Sequence, residues 1–287
     1  MKEYKDFILY NPDTGEMIED GYSIVSLEDK VKKQEKKRIR EQYQGYGRFY
    51  WILYHIEHEL LDGIINDATL TRYIYLCTYI GYDNKLQWRQ KDYIYKSDIS
   101  GILKLSTSAT YAFLSECKEN NLLTINRDNT ITITNNIYRG KLNKKEKKYD
   151  ICRIYIDTVR KLYKSCSPRE HKTLSYLFAL LPYVNIEYNI LCTNPLEKDI
   201  DHIQPLLLDK LCQLVGYDPN NARKLKNILL DIEVDGIPAV KLVVDKYKQL
   251  IYVNPHIYYA GNQHDKIMIL GKFDAPNNPK SAASPER

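Results

Sequence analysis

Two stretches of the chain carry side chains suited to contacting a DNA duplex. The first lies over Thr107 to Asn120, whose outward face would offer Thr107, Ser108, Thr110 and Ser115. Hydroxyls hydrogen-bond to base edges or to phosphates. The second offers Asn220, Asn221, Arg223, Lys224, Lys226 and Asn227. Asparagine pairs bidentately with adenine and arginine with guanine, so this stretch is the stronger base reader. Arg127, Lys246 and Lys248 fall where hairpin tips are expected, suited to phosphates or a minor groove. The run Lys30 to Arg40 holds seven basic residues and one acidic. It suits non-specific phosphate contact, and equally a solvated helix end.

The elements that must position these residues are legible locally. Leu70, Tyr73, Ile74, Cys77 and Ile80 recur at helical spacing, with Asn66 or Asp67 as cap. Tyr93 to Tyr95 is short and β-prone. Ser97 opens a small helix carrying Ile99, Ile102 and Leu103, and Ser106 is a good N-cap for the next helix. Tyr111, Leu114 and Cys117 are its expected inner stripe. Leu122 to Asn126 and Thr130 to Thr134 flank an Arg-Asp-Asn turn, a hairpin signal. Helix, short strand, helix-turn-helix, hairpin is the order of a winged helix, whose second helix enters a major groove.

The same plan recurs downstream. His171 to Leu181 is an apolar helix stopped by Pro182, and Tyr188 to Cys192 is extended. A helix from Pro205 to Val215 ends at Gly216, which tolerates positive φ. Asp218 caps the next helix, with Pro219 at its first position. That helix turns Leu225, Ile228 and Leu229 inward. Ala239 to Val244 and Gln249 to Val253 form the second hairpin. Self-similarity supports a duplication. TRYIYLCTYIGYDN from Thr71 matches KTLSYLFALLPYVN from Lys172 at an offset of 101, the helix-turn-helix matches at 112, and Ile137-Tyr138 matches Ile257-Tyr258 at 120. Each half is preceded by an expected helix, about Tyr43 to Leu61 and Asp150 to Tyr163. Helices so placed often mediate dimer contacts, so a homodimer is a possible assembly.

Composition narrows the function classes. With 44% apolar and 28% charged residues the chain reads as folded rather than disordered. No apolar run reaches the ~20 residues that cross a bilayer, so no membrane partner is expected. Met1 to Pro12 lacks the pattern of a secretory signal. The net charge of +5 permits a nucleic-acid partner without demanding one. Six scattered cysteines without a Cys-x-x-Cys pair suggest buried, reduced thiols and a cytoplasmic location, rather than a zinc site. His55 and His58 beside Glu57 and Glu59 do not form the metalloprotease pattern. There is no Gly-rich phosphate loop and no catalytic triad spacing. The expectation is therefore a binding protein, not an enzyme, with no cofactor and no metal.

The segment from Gln249 carries a resemblance. Ile251 to Val253, Asn254-Pro255, Ile257-Tyr258, Gly261 and Ile267 to Leu270 resemble the end of the plasmid replication-initiator family of Gram-positive bacteria. Those proteins finish a wing with an apolar strand, Asn-Pro, an apolar pair, a glycine and a terminal strand. The start LYNPDTGEMIE (Leu9 to Glu19) is similar to that family's amino terminus, and TNNIYRG (Thr134 to Gly140) is a version of the motif without the proline. Related phage winged-helix regulators share the motif. The resemblance implies origin binding and recruitment of host proteins, with no catalytic residue. Family members usually carry one module, whereas this chain reads as two.

The expected architecture is mostly α with small β-hairpins, an α+β chain of tandem winged helix-turn-helix domains. Its parts are an amino-terminal extension (1–42), a first module (43–142), a second (143–273) and a disordered tail (274–287). Lys141 to Lys148 is a charged linker. The expected function is sequence-specific binding of double-stranded DNA by a plasmid or phage replication initiator. A phage transcription regulator, with host transcription proteins as partners, fits the same surfaces. A structural or adaptor protein whose winged helices bind protein, within a virion for instance, is the reading from another class.

Overall fold

The computed structural model describes residues 47–54, 67–134, 137–140, 150–245, 248–261 and 263–273. The amino-terminal motif, the basic run, the His55/His58 pair, Lys246, the charged linker and the tail lie outside them. Tyr46–Arg287 forms one compact unit.

β1 (Phe49–Tyr54) stands where the sequence pattern predicts a helix. Its sequence FYWILY is apolar throughout, which conceals the period. Tyr50 and Ile52 are fully buried while Phe49 and Trp51 are half-buried, the two-residue alternation of a strand. α1 (Asp67–Leu76) follows and tightens into a 3-10 turn at Cys77–Tyr79. β2 (Gln87–Arg89) and β3 (Asp92–Tyr93) form a small hairpin. A 3-10 turn leads into α2 (Ile99–Leu103), which Lys104 ends in the left-handed conformation. α3 (Thr107–Glu119) starts at Ser106, whose hydroxyl accepts a hydrogen bond from the Ala109 amide. β4 (Leu123–Ile125) and β5 (Ile131–Ile133) make a hairpin, and β6 (Ile137–Tyr138) follows.

β7 (Asp150–Tyr155) occupies the beginning of a second expected helix, which starts only at α4 (Ile156–Ser165). α5 (His171–Ala179) gives way to a 3-10 turn containing Pro182. α6 (Leu208–Leu214) begins later than Pro205, and Gly216 follows at φ +64°. Asp218 caps a 3-10 turn at Pro219–Asn221 that continues as α7 (Ala222–Leu230). After a minimal hairpin of β8 (Glu233–Val234) and β9 (Ile237–Pro238) come the longer β10 (Val240–Asp245) and β11 (Lys248–Val253). β12 (Tyr258–Tyr259) and α8 (Gln263–Leu270) complete the described chain. α8 is helical where the resemblance implies a terminal strand at Ile267 to Leu270. The fold is mixed α+β, helices with small antiparallel sheets.

The backbone pairing of the first half recurs in the second. The Ile80 amide donates to the Cys77 carbonyl as Val184 does to Leu181. Leu86 donates to Ile131 as Leu191 does to Ile251, and Ile94 to Leu86 as Leu206 to Leu191. Leu105 donates to Ser100 as Tyr217 does to Cys212, and Ile133 to Asn84 as Val253 to Asn189. Asn84 and Asn189 both hold positive φ, 60° and 54°. Each turns its side-chain amide onto a late strand: Asn84 toward the Ile137 carbonyl (3.4 Å), Asn189 toward Tyr258 (2.8 Å) and Val253 (3.1 Å).

These pairs keep the offsets of 112 and 120 but change the first one. Cys77 and Leu181, the starts of the two 3-10 turns, are 104 apart rather than 101. A slip of three residues is close to one helical turn, so an apolar stripe superposes on itself and periodicity cannot detect the error. Past that turn the offset is 105, which relates Leu86 to Leu191 and makes Asn189, not Asn185, the counterpart of Asn84.

The halves meet in a four-stranded sheet of order β12-β7-β1-β6. The antiparallel pair β1–β7 is central, with Ile52 opposite Cys152 and Trp51 opposite Arg153. β6 and β12, equivalent elements, take the two edges. The sheet thus relates the halves by a local two-fold. One hydrophobic core crosses the expected domain boundary, joining Tyr50, Leu76 and Ile80 to Ile154, Leu177 and Leu181. Specific bonds fix the docking. Thr71 Oγ1 donates to the His171 carbonyl (2.8 Å) and Tyr163 Oη to the Leu103 carbonyl (2.9 Å). Tyr163 also stacks on Tyr75 with centroids 3.8 Å apart. The halves are therefore a fused pair sharing one core.

Candidate nucleic-acid interface

α7 is held by its apolar face. Leu225 and Leu229 are each 1% exposed and pack in the shared core. At ~100° per residue the face opposite them carries Arg223, Lys224 and Asn227, all exposed, with Lys226 half-buried at its margin. The helix, ARKLKNILL, contains three cations and no acid. Among the described residues none of the three cations forms an ion pair. Their charge is therefore uncompensated within the helix, and it attracts phosphate. Asn220 is exposed at the amino end. Asn221 is exposed as well, but its side-chain amide donates to Asp218 Oδ2 at 3.0 Å, within the cap.

α3 presents a different surface. Thr107 and Ser108 are exposed, as the sequence predicts. Thr110 is not: it is 6% exposed, and its hydroxyl donates to the Ser106 carbonyl at 2.9 Å. A short β-branched side chain that bonds back four residues leaves nothing to offer a duplex. Ser115 is exposed and donates to Glu119 Oε1. Tyr111, expected inward, is 58% exposed, and Phe113 takes the inner position beside Leu114 and Cys117. At the offset of 112, Tyr111 occupies the place of Arg223, Ala112 that of Lys224 and Ser115 that of Asn227. Of the two helices so matched, one is cationic and the other carries hydroxyls and an aromatic ring.

The hairpins differ likewise. Arg127 is exposed at the β4–β5 turn, beside Asp128. Hydrogen bonds from the Thr130 hydroxyl and amide, with Lys85 3.8 Å away, hold the Asp128 carboxyl below its usual range. β10–β11 is longer, with register continuing to Asp245 opposite Lys248. Lys248 is thereby placed at the end of the second hairpin.

Other chemistry finds less support. Burial pushes the Cys77 and Cys117 thiols well up and Cys192 to about 11, so these remain protonated and unreactive at neutral pH. All six cysteines are free. Among the described residues no group of three or more His, Cys, Asp or Glu side chains can hold a metal ion. None of the described helices is long and apolar enough to cross a membrane.

One feature escapes sequence reasoning. A cleft of about 410 Å³ opens between the start of α3, the turn before α2 and the β4–β5 tip, lined by Tyr95, Lys96, Ser100, Thr107, Tyr111 and Asn129. Its only local signal is the aromatic and basic alternation of Tyr93, Tyr95 and Lys96, which reads equally as an edge strand. No family model, curated protein or solved structure matches the chain.

Proposed function

We propose that the chain is a sequence-specific binder of double-stranded DNA, built as a fused pair of winged helices and acting without catalysis. The order of elements supports this: α2–α3 and α6–α7 are consecutive helices each followed by a hairpin, the order of a winged helix-turn-helix. The carrying observation is the exposed face of α7, where Arg223, Lys224 and Asn227 stand together on a helix with no acid. Phosphate attraction supplies affinity and the Arg and Asn forks supply base choice. The shared core holds α3 and α7 in a fixed relation. Thr107 and Ser108 of α3 add neutral contacts to the sugar-phosphate backbone.

The biological role we favour is replication initiation on a plasmid or phage, with host replication proteins as further partners. That step rests on the Asn254-Pro255 to Gly261 resemblance. The test of DNA binding is a mobility shift on duplexes selected from a random pool. Enrichment of one sequence, lost in Arg223→Ala/Lys224→Ala, supports it; a folded protein that retards no duplex overturns it. The initiator role is tested by a minimal plasmid bearing the gene and its flanking DNA. Autonomous replication supports it, and failure to replicate while duplex binding persists favours a transcription regulator.

A further inference from the structure

We infer that the cleft beside α3 is a binding site for unpaired nucleic acid, in which a nucleobase stacks on Tyr111 and Tyr95. Every large aromatic side chain that is exposed among the described residues lies in the first half: Tyr82 (76%), Trp88 (49%), Tyr95 (44%) and Tyr111 (58%). Cations accompany them. Lys96 Nζ lies 4.9 Å from the Tyr111 ring centroid and the Arg139 guanidinium 5.4 Å from that of Tyr82. Trp88 meets Tyr79 edge-on, and Arg160 covers Tyr79 at 4.2 Å. Interleaved rings and cations are what single strands bind, because every base has a stacking face and every linkage a charge.

Contacts tie the segment from Tyr93 to Tyr95 to the β4–β5 hairpin. Tyr95 pairs with Thr130 of the hairpin, and Asp128 at its turn approaches Lys85, which covers the Tyr93 ring at 5.1 Å. The volume of about 410 Å³ falls within the roughly 300–1,000 Å³ of small-molecule sites. Lys96 and the Thr107 hydroxyl are placed for a phosphate. The Asp128 carboxylate repels phosphate but accepts a hydrogen bond from a base amino group. A duplex offers no open base face, so this chemistry is wasted on paired DNA. At the equivalent place in the second half Tyr95 is replaced by Leu207 and Tyr111 by Arg223. The second half therefore offers no stacking ring at this place.

The inference does not depend on the duplex-reading role of α7, and fluorescence anisotropy separates the two. The probes are a labelled oligothymidylate of about 20 nucleotides and a mixed-sequence duplex of the same length. The intact protein should bind the oligothymidylate. Tyr111→Ala should weaken that binding about tenfold or more and leave duplex binding within about twofold, while Tyr111→Trp keeps both. Arg223→Ala/Lys224→Ala should show the reverse. Single-strand binding lost only in the tyrosine variant, with no duplex binding anywhere, upholds the cleft and discards the α7 reading. Absence of oligothymidylate binding by the folded protein, equal loss on both probes, or unchanged affinity in Tyr111→Ala overturns the inference.

Discussion

Replacing Arg223 and Lys224 together by alanine removes two of the three cations of α7. Both side chains are exposed and neither has an acidic partner among the described residues. The folded state should therefore change by no more than about 0.5 kcal/mol, and alanine favours the helix. A bidentate Arg contact to a base contributes about 1–3 kcal/mol and a lysine–phosphate contact about 1 kcal/mol. Together they amount to about 2–4 kcal/mol, or a loss of roughly 30- to 700-fold in affinity for the selected duplex. The salt dependence is a second readout. Each phosphate contact contributes about 0.9 to the slope of log affinity against log salt, so losing two flattens it by about 1.8 if both touch phosphate and about 0.9 if Arg223 reads a base. Titrating duplex with both proteins from about 50 to 200 mM salt measures the two quantities together. A variant that keeps its circular dichroism, its affinity and its slope would refute the assignment of α7. A binder with no salt slope even before mutation would point to protein partners instead.

Three further outcomes follow from the fold. Asn189→Ala should destabilise by about 3–5 kcal/mol, since it strands two buried carbonyls and puts alanine at φ 54°; Asn189→Gly should recover about 1 kcal/mol of that. Equal losses in denaturant titrations of the two variants would show that backbone strain is not part of the cost. Burial, with Arg72 nearby, pushes His171 down to about 4, and burial lowers His256 as well. The unfolded chain therefore takes up these protons first, and stability present above pH 6.5 should decline toward pH 4, by at most about 3 kcal/mol from His171. His171→Phe preserves a ring against Tyr163 and should flatten that decline; an unchanged profile would assign it to carboxylates. Ser106→Ala should cost about 1 kcal/mol through loss of the α3 cap, measured by thermal unfolding, and no change would mean that the hydrogen bond to Ala109 contributes nothing.

Local signals carried much of the architecture. Ser106 and Asp218 cap as their types demand, Gly216 sits at positive φ, and the hairpin around Arg127 to Asn129 forms as its turn residues suggest. Local reasoning failed where partners are distant in sequence. β1 and β7, read from sequence as helices, are strands because they pair with each other across the two halves, a contact that local periodicity in their apolar runs does not register. The same pairing merges the cores, which no boundary signal in the linker reveals. In α3 the difficulty is local: Tyr111 and Phe113 are both aromatic, and only packing decides which is inward. The exposed Tyr111 then removes one expected core residue and creates the cleft.

Sequence selection from random duplexes, followed by footprinting of the enriched site, examines the account most directly. Because β1 and β7 pair antiparallel with equivalent strands at either edge, the proposed duplex-reading pairs α2–α3 and α6–α7 are expected in opposite orientations. They should protect two unlike half-sites in inverted orientation, about 10 base pairs apart, with the stronger sequence preference under α7. Half-sites in the same orientation, or a pool that yields no preferred sequence, would contradict it.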